Sequence, residues 1–165
     1  MKIKAATIVL ILLSWIILLD ESFGMSLGCD GSWSKTITAS NLTSGAGSNL
    51  TSTYESSTSQ ANIDISLTLG ILDRWRVDVH KVDGTWHSDV HLYIRRSSDG
   101  WTDLGLGTIS GGSSYIEVTG VSQTFYSGSG NRYDADVQLK LTGISLSIPP
   151  GTYSTTVYIT LVNIL

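Results

Sequence analysis

Three histidines lie close together, His80, His87 and His91, with Asp78 and Asp89 beside them. Imidazole and carboxylate are ligands that zinc or copper takes when three or four converge on a point. On an alternating strand they spread along a line instead, so a solvated polar face is the expectation and no metal is assigned. Asp134 and Asp136, with Asn131 nearby, raise the question of calcium, but the glycine-anchored loop of the known calcium motif is missing. As a general acid and base, two carboxylates need a cleft and opposed environments that split their pKa values, and nothing in their spacing indicates one. No Gly-x-Ser-x-Gly elbow, P-loop or His-Glu-x-x-His occurs. The glycine clusters Gly105-Leu106-Gly107 and Gly128-Ser129-Gly130 match no phosphate fingerprint and read as turns. The expectation is a protein with no catalytic residues and no cofactor.

Aromatic residues offer a different chemistry. A flat ring left exposed can stack on a sugar. Trp75 is in phase with Val77 and Val79 and belongs with the core, whereas Trp86 and Trp101 lie in or beside turns. Those two are the candidate contacts of a glycan-binding module.

The elements that would position these groups are strands. Period-two alternation recurs at Ala61, Ile63, Ile65, Leu67 and Leu69, then at Trp75, Val77 and Val79. It returns at Val90, Leu92 and Ile94 and at Ala135, Val137, Leu139 and Leu141. One apolar and one wet face is what an antiparallel sheet with a solvated side requires. The breaks carry turn residues, Asp83-Gly84 above all. A two-residue turn there pairs Val82 with Thr85, Val77 with Val90 and Trp75 with Leu92. It also sets His80 opposite His87 and Asp78 opposite Asp89. A longer loop through Trp86 and His87 is the other option. Ser40 to Gln60, rich in Ser, Thr, Gly and Asn, reads as a long loop or a loosely paired edge. The pattern predicts an all-β, single-domain antiparallel β-sandwich of roughly eight strands, an Ig-like or pilin-like Greek key.

The chain opens on Lys2 and Lys4, followed by an apolar run from Ala5 to Leu19. This is the charge and length pattern of a secretory signal peptide, too short for the roughly 20 residues of a membrane span. Small residues at Ser22-Phe23-Gly24 put the cut after Gly24, so residues 1–24 are the expected signal and 25–165 the domain; an uncleaved N-terminal anchor is the other option. The expected location is secreted, at the cell surface, with contact to a membrane only through the signal. A formal net charge of −4 argues against nucleic acid as a partner. The single Cys29 makes no internal disulfide.

The last strand, Gly151-Thr152-Tyr153-Ser154-Thr155-Thr156-Val157-Tyr158-Ile159-Thr160-Leu161, continues in apolar residues to Ile164 and Leu165. With the export signal and the strand Trp33-Ser34-Lys35-Thr36-Ile37-Thr38-Ala39, it resembles bacterial fimbrial subunits. The terminal segment is most similar to spore-coat-U-like and related pilin-type domains. Many such subunits carry a cysteine pair where this chain has Cys29 alone. The resemblance implies a structural, non-enzymatic fibre subunit, an incomplete sandwich whose groove is filled by a neighbour's strand. It implies Val157, Ile159 and Leu161 as the strand bordering that groove, and Trp33, Ile37 and Ala39 as the face of the donated strand. It further implies copies of this chain as the partner, with an export chaperone in transit. Pairing of Trp33–Ala39 within its own sheet is the other option. A secreted carbohydrate-binding sandwich using Trp86 and Trp101 is the alternative function.

Overall fold

The computed structural model describes residues 6–10, 24–67 and 73–164. Leu69, read above as the end of an alternating strand, falls outside them. Among the described residues thirteen strands form and helix is limited to short 3-10 turns. In chain order they are β1 (Ala6–Leu10), β2 (Met25–Gly31), β3 (Trp33–Ile37), β4 (Tyr54–Glu55), β5 (Ala61–Leu67), β6 (Arg74–Asp83) and β7 (His91–Arg96). There follow β8 (Thr108–Gly111), β9 (Ile116–Glu117), β10 (Gln123–Ser129), β11 (Arg132–Thr142), β12 (Thr152–Tyr153) and β13 (Thr155–Asn163).

Two antiparallel sheets pack face to face as a β-sandwich. One has the order β2-β5-β11-β7-β9, with β4 taking the place beside the C-terminal half of β11. The other has the order β13-β6-β10-β8. A third, smaller group, β12-β1-β3, lies at the margin.

The alternating residues meet between the sheets. Ile63, Ile65, Leu92, Ile94, Val137, Leu139 and Leu141 face inward from one sheet, and Trp75, Val77, Val79, Tyr126, Val157 and Ile159 from the other. Each such side chain contributes roughly 1.5–3 kcal/mol when buried. Trp75 is the centrepiece. Its indole N–H donates to the Gly130 carbonyl at 2.8 Å, and its ring meets Tyr126 edge-on at 5.8 Å. Gly128 is required beneath it, since a Cβ there would lie 2.6 Å from the indole and 2.2 Å from the Thr108 carbonyl. Gly128 therefore belongs to strand β10 and is not a turn residue; the turn is at Gly130, with φ +72°.

The hairpin expected at Asp83-Gly84 does not form. From β5 onward each long strand crosses to the opposite sheet, so β6 pairs with β10 and β13, whereas β7 pairs with β11 and β9. The reason is physical. Alternation reports which residues face the core, and that face is the same whether the next strand pairs beside or packs across. The hairpin would also have set Asp78 against Asp89. In the observed ladders Asp78 lies opposite Thr124 and Thr160, and its carboxylate takes the Arg76 guanidinium at 2.7 Å.

Two buried polar side chains depart from the simple pattern. Arg96 continues the inward phase of Leu92 and Ile94 and is buried at the end of the core. Its guanidinium donates to the carbonyls of Gly111 and Ser98 and to the Asp99 carboxylate, and lies over the Tyr126 ring. Gln138, expected on the wet face, is buried because the segment around Ser56 covers it. Its amide donates to the Ser56 carbonyl at 2.9 Å, and its carbonyl accepts from Arg95 Nε at 2.9 Å.

Candidate functional site

Two places stand out, a slot at the margin of the sandwich and an aromatic platform on a loop. The slot is built from both ends of the chain. β13 pairs with β6 without interruption, from Thr155 opposite Asp83 to Asn163 opposite Trp75. Beyond it, the Ile164 N–H still donates to the Arg74 carbonyl at 3.0 Å. Val157 and Ile159 are buried, and Leu161 packs half-buried against the core. On the outward side Tyr158 stacks on His80, with centroids 5.1 Å apart and planes 11° apart. Only Ser154 separates β13 from β12, and it too is tied to the end of β6, donating its N–H to the Thr85 carbonyl and accepting from Gly84.

The other edge of this terminal segment has a different partner. β1 lies parallel to β12, with Thr7 opposite Thr152 and Ile8 opposite Tyr153. Its second edge pairs antiparallel with β3, from Ala6 opposite Ile37 to Leu10 opposite Trp33. β1 is therefore a single strand wedged between β3 and β12. Among the described residues it is the only ladder partner of β3.

Trp33 and Ile37 are buried in the core of their own chain and hold β3 as one wall of the slot. Ala39 is exposed. The strand ends at Ile37 because Thr38 caps a 3-10 turn over Ala39–Asn41, its backbone N–H donating to Asn41 Oδ1 at 2.9 Å. On β2, opposite Ile63 of β5, Cys29 sits half-buried. Burial first, then the carboxylates of Asp30 and Asp64, raise its thiol to about 11. A thiol raised this far is a poor nucleophile near neutral pH.

The platform is built on a β-bulge in β11. The ladder with β5 slips between Arg132 and Ala135, and Asp134 there adopts φ +54°. Its N–H is held by Asp64 Oδ1 at 2.7 Å. The loop after β7 closes over the bulge. Trp101 and Tyr133 exchange backbone bonds, 2.8 Å from Trp101 N–H to the Tyr133 carbonyl and 2.9 Å in return. Gly100 permits this approach: its φ is +63°, and a Cβ would come within 2.1 Å of the Tyr133 carbonyl. The Trp101 indole N–H donates to Asp134 Oδ2 at 2.9 Å, and its ring leans on Tyr133 with centroids 4.5 Å apart. Asp103 Oδ2 accepts from Asn131 at 2.8 Å and from the Tyr133 hydroxyl at 3.1 Å. Local desolvation and this bond to Asp103 raise the Tyr133 phenol.

The other residues considered for chemistry are dispersed. Trp86, expected to be exposed, is half-buried and packs on the core. Its indole donates to the Val90 carbonyl at 2.7 Å, with Lys81 Nζ 5.0 Å above the ring. It is drawn in because the segment from Gly84 to Val90 is a crossing between sheets that closes the end of the sandwich. The histidines go to separate partners: His80 to Tyr158, His87 edge-on to Tyr153, and His91 to Glu117 at 2.6 Å. Among the described residues no group of three or more His, Cys, Asp or Glu is arranged to hold a metal ion. No helix among them is long and apolar enough to cross a membrane. Comparison with family models, curated proteins and solved structures returned no match.

Proposed function

We propose that the protein is an exported, non-enzymatic structural subunit of a cell-surface fibre, assembled by strand donation between copies. The observation that supports this most is the slot. One extended strand, Ala6–Leu10, is sandwiched between β3 and β12, and it lies within residues 1–24, whose charge pattern is that of an export signal. Removal of that signal would strip β3 of its ladder and open the near edge of β12 at the start of the terminal segment. The two walls would then stand two strand spacings apart, about 4.8 Å each, with backbone groups unpaired along both. An open edge of this kind is a template for a strand from another chain.

In this reading the N-terminal arm is the donor. Once β1 is gone, β3 has no ladder of its own; Trp33–Ala39, a wall of its own margin only while β1 is present, leaves that margin and pairs with the β12–β13 edge of the next copy. Val157, Ile159 and Leu161 border the groove that receives it. An export chaperone lending a strand during transit is the second partner this mechanism calls for.

Full-length chain and a chain beginning at Met25 test the proposal by electron microscopy. The shorter chain is expected to form filaments, and a synthetic peptide of residues 5–11 added in excess is expected to block them by refilling the slot. A Met25 chain that stays monomeric, or filaments indifferent to the peptide, would refute strand donation at this slot.

A further inference from the structure

The loop platform points beyond assembly. Of the described tryptophans, Trp33 and Trp75 are buried and Trp86 is half-buried, whereas Trp101 is 53 % exposed. An exposed ring of this size is usually mobile; this one is over-determined. Reciprocal backbone bonds, the indole bond to Asp134 and the tilted ring contact with Tyr133 fix it in place. The fixation costs backbone strain, since Asp134 is the sole non-glycine residue with positive φ among the described residues. Strain of this kind, worth of order 1–3 kcal/mol, persists only where the surroundings impose it, and it clusters at ligand sites.

We propose that Trp101, Tyr133, Asp134 and Asp103 form a binding platform for a hexopyranose. The axial C–H face of the sugar lies on the open face of the Trp101 indole, and its hydroxyls donate to the carboxylate oxygens of Asp134 and Asp103. The geometry selects this class. Tyr133 leans on one side of the indole, centroids 4.5 Å and planes 34° apart, and leaves the exposed side as a flat face rather than a cage, which suits a disc-shaped ligand better than an enclosed cation. Carboxylates at the rim repel phosphate and so disfavour a nucleotide. They accept hydroxyl protons, and each has an oxygen left over, because the bonds to Trp101, Tyr133 and Asn131 use Oδ2. A ring fixed in advance loses little freedom on binding, which favours a weak but specific contact. The platform is independent of the slot and does not require the fibre reading to hold.

Saturation-transfer NMR on the full chain tests it with methyl β-D-galactopyranoside, methyl β-D-glucopyranoside, methyl α-D-mannopyranoside and tetramethylammonium as separate probes. Transfer is expected to the axial ring protons of at least one glycoside, with affinity near about 1 mM. Trp101→Ala is expected to weaken it by about ten-fold or more with the unfolding midpoint little changed, and Trp101→Phe by several-fold. Absence of transfer to all three glycosides, equal transfer to wild type and both variants, or transfer to tetramethylammonium alone would overturn the proposal.

Discussion

The slot and the platform are both at the periphery of the same sandwich, yet they are completed in opposite ways. Every contact that fixes Trp101 comes from loop and bulge residues between Asp64 and Asp134, already close in the finished sheet. The β3–β12 margin is closed by a strand from the first residues of the chain, held by two register pairs on one side and five on the other. A site of the first kind is ready for a small ligand. A site of the second kind is one strand short without its insert, and its natural complement is a strand.

Substitutions should separate the two regions by the size of their effect. The largest is expected at the slot wall: Trp33→Ala removes a buried indole and should cost about 3–5 kcal/mol in urea unfolding. Raising the pH through the range of Cys29 comes next. Its thiol is neutral in the fold and is raised from 9.0 to about 11. Its contribution is thus fully present below pH 9 and is lost as pH rises through 11, on the order of 2 kcal/mol. Cys29→Ser should flatten that part of the stability–pH curve. Ile8→Pro deletes a ladder N–H of β1 and should cost the full-length chain about 1–2 kcal/mol. The same change should leave glycoside binding untouched. Gly100→Ala should cost about 1 kcal/mol or more by forcing the loop off Tyr133, and here binding should fall while assembly is unaffected. Smallest of all, Trp101→Ala should change stability by less than about 0.5 kcal/mol. A loss comparable to that of Trp33→Ala would mean the platform is structural and would erase the distinction.

The same contrast governs what could be read from residue order. Alternation identified Ile63, Ile65, Trp75, Val77, Val79, Leu92 and Ile94 as inward-facing, because a period of two is a local property of one strand. Pairing is not local here. Among the described residues no two consecutive strands share a ladder, so the Asp83-Gly84 signal pointed to a hairpin that the sheet-to-sheet crossings replace. Arg96 shares the phase of Ile94 and was masked by its charge. Trp86 and Trp101 both neighbour turns, and only the crossing of residues 84–90 over the end of the core tells them apart. Asp134 looked like one more outward carboxylate; its bulge depends on β5 and on the loop after β7, and residue spacing carries no trace of either. The apolar terminal strand, by contrast, was legible as a strand whose apolar face needs cover to Ile164 and Leu165. Its inner edge is met by β6 and its core face by the sandwich; what remained hidden was β1 beside its start.

Amide hydrogen exchange across Trp33–Ile37, in the chain beginning at Met25, tests the central claim most directly. Without β1, these amides should exchange freely in the monomer and become protected once filaments form, as β3 gains a partner in another copy. Full protection in a monomeric Met25 chain would show that the margin closes on itself, and would contradict a slot that needs a strand from outside.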